Sequence, residues 1–363
     1  ANSSQKPKVV LDRINDFYSK QFSNVGRSIH YLAVAATNLY ENTRSSVQKY
    51  INAKDKNEIV FTKGATEALN LVANTLGQTI IEPNDEILIT ELEHHSNYVP
   101  WHFLRKSKNV KIKFAEINED GEVPIENIEK EITNKTKVIA ITHLSNVTGS
   151  ILPIKEITQL AHSKGIIVVV DGCQGGPHLK LDMQDLDCDF YAISCHKMYG
   201  PTGLGVLYGK KKWLEQLPPY QGGGGMINEV KKNKITFAAP PEKYEAGTLP
   251  TAEVITFNES IKFIKSIGMD NITKHETNDL SLLTAESKDS NGIKLKKTLE
   301  VKEVLKIFKR ISDEQAEAIG YSKLWCRPEW LICQNLPVLP PSVRPSVKAD
   351  NNTRSEDDIT HKY

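Results

Sequence analysis

The stretch IIVVVDGCQGGPHLKLDMQDLDCDFYAISCHKMYGPTGLGVLYG, residues 166–209, decides the fold. It opens on five consecutive apolar residues, Ile166 to Val170. A parallel strand covered by helices on both faces has this composition. Asp171 ends the run and a glycine-rich turn follows; Asp189 to Ile193 reads as a second strand and Gly205 to Tyr208 as a short third one. Upstream the same grammar repeats. Glu58 to Thr62, Glu86 to Thr90, Val110 to Ala115 and Lys137 to Thr142 read as strands, and Thr66 to Leu76 and Ile154 to Ser163 have helical spacing. Strand–helix alternation of this kind predicts a three-layer α/β sandwich around a mostly parallel sheet. Residues before about Asn52 are expected to form helices and loops bordering the site, with Arg27 and His30 near its entrance.

The 363 residues are 39% hydrophobic and 25% charged, the ordinary globular range, with a formal net charge of +1. That balance argues against nucleic acid or a membrane surface as a whole-chain partner. Lys210 to Lys212 and Lys231–Lys232 read as solvated loop charge. Cys173, Cys188, Cys195, Cys326 and Cys333 are odd in number and form no CxxC pair. They suggest free thiols in a reducing compartment rather than a disulfide framework or zinc site. No run approaches the ~18 apolar residues of a membrane span. A cytoplasmic protein without a metal is the expectation.

In open α/β sheets, ligands gather beyond the carboxyl ends of the strands. Five such ends here are polar: Thr62 to Thr66, Glu93 to His95, His143 to Asn146, Asp171 to Gln174 and Ser194 to Lys197. Lys197 lies just past a buried strand, where it can condense with an aldehyde; taken alone it reads more readily as an exposed loop lysine, and Asp171 shifts the balance. Asp171, 26 positions earlier, supplies the carboxylate that pyridoxal 5'-phosphate (PLP) needs against its ring nitrogen. Gly64-Ala65-Thr66 joins a strand to a helix, so free N–H groups and the helix dipole can face a phosphate. Ser194 and His196 can approach the same phosphate from the other side. His94 suits stacking on a pyridine ring, or is one of two hydrogen-bonded loop histidines.

Residues 1 to about 275 resemble the cysteine desulfurases of the sulfur-mobilising, group II type, within the class V aminotransferases of PLP fold type I. The stretches that carry the resemblance are TKGATEALNLVAN (62–74), ELEHHSNYVPW (91–101), THLSNVTGSILPI (142–154), VVDGCQGGPH (169–178), DCDFYAISCHKMYGPTGLGVLY (187–208), PPYQGGGGMI (218–227) and YEAGTLP (244–250). The resemblance implies a seven-stranded sheet and a PLP cofactor. It makes Lys197 the Schiff-base lysine and proton carrier, and Asp171 the ring-nitrogen partner. Gln174 and Asn146 become ring-hydroxyl or substrate contacts, and His94 the stacking residue. Ala65, Thr66, Ser194 and His196 become phosphate contacts. Thr248 would complete the phosphate site of a neighbouring subunit, so a homodimer is implied. Catalytic work would rest on Lys197, His94 and Asp171. The reaction implied is L-cysteine to L-alanine, its sulfur passing to an enzyme thiolate and an acceptor protein for iron–sulfur cluster assembly.

Two departures qualify this. No small domain with a substrate-clamping arginine and a loop-borne nucleophilic cysteine is legible after residue 275, so impaired turnover is expected. Residues 276–300 read as a polar linker, and residues 301–363 resemble a fragment of the RNA polymerase largest subunit, from its clamp region. Val301 to Ile311 has helical spacing there, Leu336 to Val347 is proline-rich, and Arg327, Arg344 and Arg354 read as solvated charge. The competing readings are a fusion or transcription-associated protein without catalysis, and another class V enzyme such as a selenocysteine lyase or an aminotransferase.

Overall fold

A computed structural model describes residues 3–26, 29–118 and 121–273, the short strands 284–288, 294–298, 347–348 and 354–355, and residues 310 and 312. The chain divides into two compact units, Ala1–His275 and Glu276–Tyr363. In the second unit, Thr284–Lys288 pairs antiparallel with Lys294–Thr298, and Val347–Lys348 with Arg354–Ser355. The expected helix over 301–311 and the proline-rich stretch lie almost wholly outside the described residues, as do Arg27, Arg327 and Arg344.

The first unit begins with helices α1 (Lys8–Asp16) and α2 (Tyr31–Tyr50). Strand β1 (Ile59–Thr62), α3 (Ala65–Thr79), β2 (Glu86–Thr90), α4 (His95–Lys108) and β3 (Lys111–Ala115) follow. Then come α5 (Ile125–Glu131), β4 (Thr136–Thr142), α6 (Ile154–Ser163), β5 (Ile167–Asp171), α7 (Gly175–His178), α8 (Met183–Leu186), β6 (Phe190–Ser194) and β7 (Gly205–Gly209). After α9 (Lys211–Gln216), the hairpin β8 (Ile227–Lys231) and β9 (Lys234–Phe237) leads to α10 (Thr251–Ile267).

Seven strands form one sheet in the order β1-β7-β6-β5-β4-β2-β3. β7 runs antiparallel to both its neighbours, and the other pairings are parallel. The fold is therefore the expected α/β sandwich with a mostly parallel seven-stranded sheet. Alternate residues of one strand feed two separate cores. Val168, Val170, Tyr191 and Ile193 pack with Tyr40 and Phe257 on one face, and Val169, Phe190 and Ala192 pack with Leu69, Val72 and Trp101 on the other. Two covered faces explain why the central strands are apolar throughout. α4 has no counterpart in the sequence reading: Pro100 lies inside it and interrupts the helical pattern.

Register fixes which polar residues meet. Thr142 is level with Asp171, and Asp171 with Ala192. Thr62 and Ser194 flank Gly205 on the intervening strand. No helix among the described residues is long and apolar enough to cross a membrane.

Candidate active site

A cavity of about 300 Å³ opens at this rim, lined by Ala65, Thr66, His94, Asn146, Asp171, Gln174, Ser194, His196 and Lys197, together with Ser96, Thr142, Leu144 and Cys173. Every predicted cofactor contact except Thr248 is thus brought to one wall. Thr248 lines a second cavity of about 280 Å³, beside Gly247, Tyr40, Arg44 and Glu245. His30 precedes α2, is bonded to Ser23 at 3.3 Å, and lies outside the rim cavity.

At one end of the cavity α3 begins. Gly64 caps it without any side-chain bond to the first turn, so the leading N–H groups point outward with the positive end of the dipole. This turn leans directly on β7. A Cβ on Gly205 would sit 2.4 Å from the Gly64 carbonyl carbon and 2.8 Å from the Ala65 nitrogen, so only glycine lets the two approach. Thr66 Oγ1 lies 3.0 Å from Ser96 Oγ, and buried Ser194 stands on the far side of Gly205. His196 Nδ1 lies 3.1 Å from Ser3 Oγ. Burial first, then the charges of Lys197 and Lys6, lower the His196 pKa and favour its neutral ring.

At the other end Asp171 is 3% exposed at the last position of β5. Its Oδ1 accepts the Cys173 N–H at 2.9 Å, and the Cys173 thiol also donates to this carboxylate, so one neighbouring residue supplies both bonds. The following glycines are required by packing: a Cβ on Gly172 would fall 1.8 Å from the Tyr191 ring. The Tyr191 hydroxyl lies 2.8 Å from His143 Nδ1, and burial lowers the His143 pKa to about 4, so that ring is neutral. Lys197 ends a short 3-10 turn, Cys195–Lys197. Its ammonium group makes no hydrogen bond or ion pair among the described residues, and the side-chain amides of Gln174 and Asn146 likewise have no internal partner there. His94 is the N-cap of α4, not a loop residue: the Ser96 N–H donates to its Nδ1 at 3.1 Å. The neutral ring therefore carries its proton on Nε2.

The residues fit PLP. A cavity at the small end of the ligand-site range presents an amine, a buried carboxylate, two free amides, an imidazole and an uncapped helix start. Grouped in one cavity around the buried Asp171, these polar groups favour a polar aromatic phosphate ligand. The described cysteines are poorly suited to nucleophilic work. Burial and the Asp171 charge raise the Cys173 thiol well above its ordinary value, and burial does the same to Cys188 and Cys195.

Sequence reasoning missed three parts of the site. Ser96 shows its role only through the cap of α4. Ser3, Ser4 and Lys6 strap the lysine loop from far away in the chain: Ser4 N–H and Lys6 Nζ donate to the His196 carbonyl at 3.2 and 2.8 Å, and the Ser4 hydroxyl donates to the Lys197 carbonyl. Glu93, seen only as a polar strand-end residue, accepts bonds from three elements.

The sequence pattern of the class-V aminotransferases matches residues 1–316. The chain is 46% identical over 276 residues to a probable cysteine desulfurase of Halalkalibacterium halodurans, covering 76% of this chain and 68% of that protein. It is 41% identical over 326 residues to one of Streptomyces coelicolor, covering 89% and 75%. The chain thus spans roughly two thirds to three quarters of the length of these relatives. Among solved structures, the apo cysteine desulfurase of Thermococcus onnurineus superposes with a TM-score of 0.73 at 32% identity, covering 88% of this chain and 86% of that one. The cysteine desulfurase CsdA of Escherichia coli gives 0.70 at 31%, covering 85% and 80%.

Proposed function

The chain belongs to the class-V aminotransferase family, and from that premise we propose that it is a PLP-dependent enzyme of cysteine desulfurase type, of the group II kind, acting on L-cysteine. The observation that carries this reading is the shared cavity: the amine of Lys197, without an internal hydrogen bond among the described residues, and the carboxylate of Asp171, held only by Cys173, line one small space. PLP, when bound, supplies an electron sink for the substrate Cα.

The chain's residues divide the remaining work. Asp171, 3% exposed, holds its carboxylate where a ring nitrogen needs a counter-charge. Gln174 and Asn146 offer amide donors beside it, and the His94 ring covers one face. Ala65, Thr66, Ser194 and His196 take the phosphate at the start of α3, where the dipole favours a dianion. Lys197 Nζ would hold the cofactor at its aldehyde end and, once substrate is bound, would take and return a proton at the substrate Cα. Thr248, in the second cavity, suits a phosphate contact across a homodimer interface.

Sulfur abstraction needs a thiolate, and the described thiols are held protonated by burial. On this reading the chain binds PLP, while turnover of L-cysteine and sulfur transfer are slow. The split at His275/Glu276 agrees with reading residues 1–275 as the cofactor domain; the division of the remainder into a linker, 276–300, and a polymerase-like piece, 301–363, rests on the sequence alone. The test is direct. Adding PLP to the purified chain should give a visible absorption band that Lys197→Ala abolishes; no band in the parent chain overturns the reading. Alanine and sulfide formed slowly from L-cysteine identify the desulfurase; amino transfer to a keto acid instead would make it another class V enzyme.

A further inference from the structure

Glu93 sits between β2 and α4, and its carboxylate joins three elements that wall the cavity. Oε1 accepts the Thr90 hydroxyl at 2.7 Å, from the last residue of β2. The same oxygen accepts the Thr142 N–H at 2.9 Å, from the last residue of β4. Oε2 accepts the Asn97 amide at 2.6 Å, from the first turn of α4. No other described side chain ties these three elements together at the rim.

Each arm leads to a residue proposed to hold the ring. His94 follows Glu93 directly and caps the helix whose first turn Asn97 anchors, so the height of its imidazole depends on that anchor. Thr142 is level with Asp171 in the sheet, and its hydroxyl continues to the Leu144 carbonyl at 3.0 Å along the wall toward Asn146. We propose that Glu93 is a positioning residue, which clamps β2, β4 and α4 so that His94 and Asp171 grip the cofactor ring from its face and its nitrogen edge. This rests on the PLP reading above. Electrostatics agree with the geometry: burial pushes the Glu93 carboxyl up to about 7, and the Asp171 charge contributes to that rise, so the two carboxyl groups are within electrostatic reach. A carboxyl maintained there against such a cost is better explained by its three fixed donors than by stability alone.

The experiment compares the full chain with Glu93→Gln and Glu93→Ala, measuring PLP affinity, the visible circular dichroism of bound PLP, and the melting temperature without PLP. Circular dichroism reports the fixed tilt of the ring, which a merely structural residue would not alter in a folded protein. Glu93→Ala should bind PLP about tenfold more weakly and lose most of the dichroism per bound cofactor. Glu93→Gln keeps acceptors for Thr90 and Thr142 but turns an NH₂ toward Asn97, and should fall between. Unchanged affinity and dichroism in a folded alanine variant overturn the proposal. Should that variant fail to fold, unchanged dichroism in Glu93→Gln overturns it equally. A parent chain without any visible band defeats the PLP reading itself; a parent band with indifferent variants defeats only the role of Glu93.

Discussion

Two buried aspartates stand at opposite ends of the same sheet. Asp189, just before β6, is 1% exposed and saturated: its oxygens accept His162 Nε2 at 2.9 Å, the Val168 N–H at 3.0 Å and Trp213 Nε1 at 2.7 Å. Lys210 and Lys212 add their charges at 3.7 and 3.6 Å. Burial alone would raise its pKa, yet these partners lower it below the ordinary carboxylate value. Asp171, at the other end of β5, is equally buried but is held by a single residue, Cys173, through its N–H and its thiol. A carboxylate whose lone pairs are all used within the protein holds the protein together. One left half-satisfied over a cavity waits for something else.

The contrast can be broken experimentally, and the largest effect should come from the open end. Lys197→Ala should abolish the visible band completely while leaving the melting temperature of the cofactor-free chain close to the parent's, since its amine has no internal partner to lose. Thermal denaturation followed beside absorbance checks both halves.

At the saturated end the outcome reverses. Asp189→Ala strands His162, Trp213 and the Val168 N–H together, and should cost about 3–5 kcal/mol of folding stability, read by urea denaturation. Cofactor affinity of the folded fraction should hardly change. A large loss of PLP affinity with unchanged stability would reverse the assignment of the two ends.

Protonation sharpens the comparison further. His143 has a folded pKa near 4 against 6.5 unfolded, so between these values the unfolded chain binds more protons. Its contribution is present at neutral pH and is lost as pH falls from about 6.5 through about 4, by about 3 kcal/mol at most. Glu93, raised to about 7 from 4.5, acts in the opposite sense: its contribution is present below about 4.5 and is lost as pH rises through about 7. Without PLP, His143→Gln should therefore leave stability declining between about pH 4.5 and 7, and Glu93→Gln should leave it falling on acidification. Denaturation midpoints across that range test both signs.

The smallest effect should be that of Asp171→Asn on the cofactor-free chain, within about 1 kcal/mol and tending to stabilise, because a buried charge held only by Cys173 is replaced by a neutral amide. PLP affinity should nevertheless drop about tenfold or more. Loss of stability comparable with Asp189→Ala would show that Asp171 is structural.

Much of this was legible in the residues themselves. Val168 to Val170 and Val138 to Ile141 are apolar without alternation because each packs into two cores, so the parallel sheet could be read from composition. Asp171 could be found because it directly follows such a run, and Lys197 because it lies in the short turn just past the next strand. α4 could not, since Pro100 interrupts its pattern. Nor could the place of β7, which depends on pairing with a strand formed near the start of the domain. The strap of Ser3, Ser4 and Lys6 could not be read either, because it touches its target only across most of the domain.

The position of β7 also has a bearing on biosynthesis. Ile59 to Thr62 pair with Gly205 to Tyr208, and the helix start that faces the phosphate rests on Gly205. On the ribosome, β1 and α3 emerge long before the strand that must separate β1 from β6. At about 5–20 residues per second, the nascent chain waits on the order of ten seconds with that edge unpaired. Cofactor capture is therefore a late event in the life of the growing polypeptide, and the exposed edge of β1 is the point a chaperone would have to guard until then.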